Sequence, residues 1–232
     1  MDWNSEIIKS LLWSGIISNL ENKQRVAEHI ADKVVNGDII GVGSGSTSYL
    51  AVLAISQRIK NEKLHIKAIP TSVEIALTCS KLGIPITSLY EHRPDWYFDG
   101  ADEVDPYSHL IKGRGGAMFK EKLMMSASEQ NFIIVDNSKL VDKLGSKFLV
   151  PIEVFPSALL NVESALKRLG ANEIVLRPAQ GKDGPVISEN GNFILDVSFD
   201  NIDKDMEIKI KCITGVIESG LFQNQLVEII VA

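Results

Sequence analysis

From residue 20 to residue 135 the chain keeps switching between two hydrophobic periodicities. Short apolar runs at 38–42, 65–69, 84–89, 96–98 and 132–135 alternate with stretches at 21–35, 47–60, 71–82 and 117–130 whose apolar residues recur at helical spacing. The links are short and carry turn residues, among them Asn36-Gly37, Gly43 to Ser46 and Gly83. Such alternation leaves few architectures, and it predicts an α/β fold with a Rossmann-like, mostly parallel sheet covered by helices. After Pro151 the texture changes. Strand-like runs at 150–154, 173–177, 192–199, 215–222 and 226–231 mix with helical stretches at 157–169 and 203–212. That mixture predicts a smaller α+β domain. The expected division is an N-terminal helical extension over 1–19, a Rossmann-like domain over 20–148 with the strand segments near 215–232, and the α+β domain over 149–214.

In the first 19 residues Trp3, Ile7, Ile8, Leu11, Leu12 and Ile16 recur at helical spacing. This segment reads as an amphipathic helix packed on its own protein or on a second subunit. Asp2, Glu6 and Lys9 interrupt the apolar run and no basic n-region precedes it, so neither a signal peptide nor a membrane span is expected. Its polar face is not basic, which argues against a membrane surface. The net charge of -6 and the lack of a basic run argue against nucleic acid. Cys79 and Cys212 form no CxxC pair and fit a reducing cytoplasm. His29, His65, His92 and His109 lack metal-ligand spacing.

In an open parallel sheet, ligands bind beyond the carboxyl ends of the strands. Three unusual segments fall there. GVGSGST (Gly41 to Thr47) is rich in glycine and hydroxyls and opens a helix, so its backbone N–H groups suit a small phosphate. It has neither the Lys of a Walker A loop nor the last Gly of a dinucleotide fingerprint; a plain turn with a Ser/Thr cap is the bland alternative. DGADEVD (Asp99 to Asp105) crowds Asp99, Asp102, Glu103 and Asp105 together. It fails the EF-hand spacing, which leaves a proton-handling site, a solvated loop or a weak magnesium site. KGRGGAMFKEK (Lys112 to Lys122) offers a second anion-friendly turn, followed by Glu121. Ala117, Met118, Met124 and Met125 surround Glu121 on a helix, and a dry setting would suit it to general base work. Lys120 and Lys122 have similar neighbours, so a surface residue in an i,i+4 pair is an equal reading.

In this order, GVGSGST, DGADEVD, LIKGRGGA followed by KEK, and VDNSK (Val135 to Lys139), with VPIEVFPSA, GNFILDV and TGVIESGLF beyond them, resemble the ribose-5-phosphate isomerase type A family from about residue 20 to the C-terminus. The resemblance implies interconversion of ribose 5-phosphate and ribulose 5-phosphate through an enediolate, in the non-oxidative branch of the pentose phosphate pathway, with neither metal nor cofactor. It implies that Glu121 is the base, that Asp99 opens the furanose ring and handles hydroxyl protons, and that Asp102 holds sugar hydroxyls. Lys112 and the N–H groups of Gly113, Arg114 and Gly115 would steady the enediolate oxygen. Ser44, Gly45, Ser46 and Thr47 would bind near the phosphate, with Gly100, Ala101, Lys139 and Lys23 as further substrate contacts. A cytoplasmic homodimer or homotetramer is implied, with Trp3 and Trp13 available to an interface. Many members carry Gly where Arg114 stands, so Arg114 is expected to add a contact or tune sugar preference. The competing readings are a paralogue acting on another sugar such as allose 6-phosphate, a non-catalytic sugar-phosphate sensor, and an acyl-CoA transferase with a Glu nucleophile. The few residues ahead of the core are too short for the DNA-binding module of such a sensor.

Overall fold

The computed structural model describes Trp13 and residues 16–232. The helix expected over 1–19 otherwise lies outside the described residues. Along the chain come α1 (Leu20–Asp32), β1 (Ile39–Val42), α2 (Ser46–Glu62), β2 (Lys67–Pro70), α3 (Val73–Leu82), β3 (Trp96–Asp99), β4 (Glu103–Val104) and β5 (Leu110–Ile111). Then follow α4 (Met118–Ala127), β6 (Gln130–Val135), β7 (Val150–Val154), α5 (Leu159–Arg168), β8 (Ala171–Leu176), β9 (Phe193–Phe199), α6 (Met206–Lys211), β10 (Val216–Ser219), β11 (Leu221–Phe222) and β12 (Glu228–Val231).

Two compact units emerge. The first holds the described residues up to Gly100, with Met124–Ser138 and Leu226–Ala232. Its sheet has the order β12-β6-β3-β1-β2, and every pairing is parallel. Strands buried on both faces read as unbroken apolar runs, and β3 (WYFD) is buried at all four positions. Helix α1 presents Val26, Ala27, Ile30 and Ala31 to this core. Carbonyls at and just past its end are met from α2: Arg58 Nη1 donates to Ala31 O (2.5 Å) and Val34 O (3.2 Å), while the other Arg58 nitrogens hold Glu62. Trp13 lies against the Tyr49 ring, with centroids 5.6 Å apart.

The second unit holds Ala101–Leu123 and Lys139–Gln225. Its four-stranded sheet, β10-β7-β9-β8, is antiparallel throughout, as is the three-stranded β11-β5-β4. Ile152, Val154, Val162, Leu166 and Ile210 are fully buried in its core. Each such side chain contributes about 1.5–3 kcal/mol.

The alternation and the mixed α+β second part agree with the expected fold class, and three details differ. The strand expected at 84–89 is a single bridge between Ala68 and Ile86, because the chain turns at 88–91 directly afterwards. The β4–β5 hairpin was not anticipated; its strands are only two residues long, below the length at which alternation can be read. The unit boundaries also differ from 148/149. Residues 101–123 group with the second unit because β5 pairs with β11 and Ile111 joins that core.

Candidate active site

In the first unit the sheet order changes direction between β1 and β3, the switch point at which parallel sheets expose their ligand crevice. The carboxyl ends of these neighbours are Gly43 and Asp99, and Gly43 N–H donates to Phe98 O at 2.8 Å. A Cβ at Gly43 would lie 2.1 Å from Asp99 Cγ, so only glycine lets the loop pass. Asp99 is 1% exposed. It accepts from Tyr97 OH (2.5 Å), Gly100 N–H (2.7 Å) and Ser48 Oγ (3.3 Å), which fixes both carboxylate oxygens.

Gly45, at φ +88°, is the cap from which α2 starts. Ser46 and Thr47 therefore occupy the first turn, where backbone N–H groups lack helical acceptors. Ser44, Gly45 and Ser46 are half-buried and Thr47 is buried. From α1, buried Lys23 donates to Ser46 Oγ (3.1 Å) and Ser18 Oγ (3.3 Å). Thus Lys23 and the glycine-serine loop come together. Asp136, absent from the expected set, completes this corner. It accepts from Asn19 Nδ2 (3.2 Å) and Ser138 N–H (2.8 Å). Burial pushes its carboxyl up, but the Ser138 hydroxyl and N–H, the Asn19 amide and the Lys23 charge outweigh that and hold it below the usual range.

In the second unit Lys112 and Glu121 face one another, with Nζ 3.4 Å from Oε2. They are 2% and 5% exposed, so two charges are held almost out of water. The turn between them is tight. Gly113 has φ +87°, a Cβ there would lie 2.7 Å from Met118 Cβ, and Gly116 N–H donates to Gly113 O at 2.9 Å. Arg114 and Gly115 at its tip are exposed. Asp102 Oδ2 accepts from Arg114 N–H at 3.3 Å. Burial pushes the Asp102 carboxyl above its ordinary range, against the opposing charges of Lys112, Lys139 and Arg114. Lys139 Nζ and the Arg114 guanidinium lie over the Phe148 ring, 5.2 and 5.7 Å from its centroid. That aromatic ring is a platform for both cations. Gly100 ends its segment of the first unit and Ala101 begins the second, both half-buried.

The four crowded carboxylates have different tasks. Glu103, fully buried, accepts from the N–H groups of Gly145 (2.7 Å), Lys147 (2.5 Å) and Phe148 (2.7 Å), pinning the loop that carries the aromatic platform. Asp105 accepts from the N–H groups of Tyr107 and His109 and pairs with the His109 ring at 3.0 Å, closing the β4–β5 turn. Glu121 and Lys122, which helical periodicity could not separate, also part company. Lys122 is held by Glu207 (2.7 Å) and Glu218 (2.9 Å) and by the carbonyls of Ser219 and Leu221. Burial pushes Glu207 up, but the charge and hydrogen bond of Lys122, with Gln223 N–H and the Asn224 amide, bring it below the usual range. Among the described residues no group of three or more His, Cys, Asp or Glu is placed to hold a metal ion, and no helix is long and apolar enough to cross a membrane.

The fold places the chain among α/β proteins whose ligand crevice opens at the carboxyl ends of a parallel sheet. The sequence profile of the ribose 5-phosphate isomerase A (phosphoriboisomerase A) family matches residues 67–232. The chain is 45% identical over 204 residues to the ribose-5-phosphate isomerase A of Synechococcus sp., covering 86% of this chain and 88% of that protein. The solved structure of ribose 5-phosphate isomerase A from Methanocaldococcus jannaschii superposes with a TM-score of 0.89 at 41% identity, covering 92% of this chain and 95% of that one. A D-ribose-5-phosphate isomerase solved in complex with phospho-erythronic acid also gives a TM-score of 0.89, at 39% identity over 93% of this chain and 95% of that one. The chain belongs to the ribose 5-phosphate isomerase A family.

Proposed function

We propose that the protein interconverts D-ribose 5-phosphate and D-ribulose 5-phosphate by proton transfer, with Glu121 as the base. The observation that carries this reading is the Lys112–Glu121 pair at 3.4 Å, both side chains almost sealed from water beside a glycine turn. A base alone does not move a proton next to a carbonyl at a useful rate. Negative charge grows on the carbonyl oxygen as the proton leaves, and a fixed cation beside the base stabilises it.

In the open-chain aldose, Glu121 takes the proton from C2. The electron pair forms the C1–C2 double bond, and charge passes to the oxygen on C1. Lys112 and the N–H groups of Gly113 and Gly115 stabilise that oxygen, while the Arg114 N–H stays on Asp102. Asp99, its carboxylate fixed by Tyr97, Ser48 and Gly100, assists ring opening and transfers the hydroxyl proton from the C2 oxygen to the C1 oxygen. Glu121 returns its proton to C1 and leaves the ketose. Asp102 and Lys139 bind sugar hydroxyls. Ser44, Gly45, Ser46 and Thr47, with Lys23, hold the phosphate, whose binding orients the reacting carbons. Gly100, Ala101 and Arg114 are further substrate contacts. The phospho-erythronic acid bound by a relative is a phosphorylated sugar acid, the ligand chemistry this reading needs. We assign the protein to the cytoplasm and to a homodimer or homotetramer, the latter testable by light scattering.

The test is turnover by the purified protein with EDTA present, offering ribose 5-phosphate and allose 6-phosphate separately. Faster turnover of ribose 5-phosphate is expected. Turnover of allose 6-phosphate alone would show a paralogue with another substrate, and binding of either sugar without turnover would show a sensor.

A further inference from the structure

Arg177 follows β8 directly and meets Asp196 on β9. Its Nε and Nη2 donate to the two Asp196 oxygens at 2.8 and 2.5 Å, a bidentate fork that leaves the planar guanidinium no freedom to rotate. The remaining nitrogen, Nη1, donates to the backbone carbonyl of Arg114 at 2.8 Å. The backbone of Arg177 is tied as well, its N–H to Ile194 O (2.9 Å) and its carbonyl to Val186 N–H (2.9 Å). All these residues lie in the second unit. A sheet therefore holds a cation against the exposed tip of the glycine turn.

The geometry of one peptide group gives this contact a consequence. The 114–115 peptide is planar and trans, so its C=O and N–H point in opposite directions. Fixing the Arg114 carbonyl on Arg177 fixes the Gly115 N–H on the opposite side. A cation on the carbonyl also polarises the peptide and strengthens the N–H as a donor. The preceding peptide is fixed separately, through Arg114 N–H on Asp102. We infer that Arg177, oriented by Asp196, is a positioning residue that sets and strengthens the Gly115 N–H as an oxyanion donor. This inference rests on the proposed isomerase reading.

The experiment measures kcat and KM for ribose 5-phosphate, inhibition by phospho-erythronic acid and by inorganic phosphate, and Tm, in the wild type, Arg177→Ala and Arg177→Ala/Asp196→Ala. The double variant leaves no unpaired carboxylate behind and decides the matter where the single variant unfolds. Removing a direct oxyanion donor costs ~10²–10³-fold in kcat, so a donor kept but released from its support is expected to cost about 10-fold. KM should stay within about 2-fold, the pattern of a contact made in the transition state. Phospho-erythronic acid, with its carboxylate in the place of the charged oxygen, should lose affinity in step with kcat, while inorganic phosphate keeps its own. A folded double variant with near-wild-type kcat overturns the inference, as does equal loss of both inhibitors, which marks a general collapse of the site. An inactive wild type instead overturns the isomerase reading, so the two failures are distinguishable.

Discussion

Residues 43–46 and residues 113–116 are both glycine turns that lead into a helix, one in each unit, yet they are furnished differently. The first is lined by Ser44, Ser46 and Thr47, with Lys23 reaching it through the Ser46 hydroxyl. The second has no hydroxyl; it is held by Asp102, by Arg177 and by its own 113–116 hydrogen bond, and the buried Lys112–Glu121 pair stands on either side of it in sequence. On the proposed reading, the first meets a phosphate that is charged throughout the reaction, and hydroxyls with a helix N-terminus suffice for that. The second meets charge that exists only while the proton is in transit. Donors that are already fixed, beside a cation and a base shielded from water, are what such charge needs.

This contrast can be broken by experiment. Lys112→Met should have the largest effect among residues other than the base, a loss of ~10²–10³-fold in kcat with KM little changed, because a transition-state contact is removed. A rise in KM alone would make Lys112 an ordinary binding residue. Gly43→Ala forces a Cβ to within 2.1 Å of Asp99 Cγ, so the carboxylate or the loop must move. Turnover should fall by roughly 10²-fold, the scale of a misplaced reacting group, with a lower Tm. Unchanged kinetics would detach Asp99 from the chemistry. Ser46→Ala should act on the anchoring side only. It removes one of the hydroxyls that accept from Lys23, and a hydrogen bond to a charged group is worth about 1.5–3 kcal/mol. KM should rise by roughly 10-fold with kcat kept.

The smallest effect concerns stability. Burial holds the Asp102 pKa above its unfolded value. An acid raised on folding binds its proton more tightly in the native state, so it favours folding at low pH and costs stability as pH rises from its unfolded pKa through the raised folded one. Asp102→Asn should therefore raise Tm at pH 7, and the gain should shrink as pH falls through the carboxylate range. A gain that does not change with pH would place the effect in packing instead.

Much of the fold was legible because its signals are long. The parallel strands are apolar runs between amphipathic helices, and β1, β2, β3 and β6 lie close to where that alternation puts them. The β4–β5 hairpin has strands too short to show a period, and the run at 84–89 is apolar without extending into a strand. At the site, the three motifs marked loops that the fold ties down with buried side chains, but did not rank their residues. Nothing in DGADEVD tells that Asp99 is wrapped by donors while Glu103 and Asp105 pin backbone turns. Glu121 and Lys122 look equally amphipathic in sequence, and only residues 207 and 218, far along the chain, reveal Lys122 as an anchor. Arg177 and Phe148 carried no motif at all, and Asp136 and Asp196 stood inside VDNSK and GNFILDV with nothing to single them out. Their parts depend on strand register and loop closure, which local pattern does not encode.

The central claim is that Glu121 carries the proton, and the direct measurement is isomerisation of ribose 5-phosphate by Glu121→Gln beside the wild type. Gln keeps the size of the side chain and removes the base. Turnover is expected to fall by at least ~10²–10⁴-fold, the scale of a lost general base, while inorganic phosphate still binds with its wild-type affinity. Turnover close to the wild type would contradict the account and remove Glu121 from the mechanism.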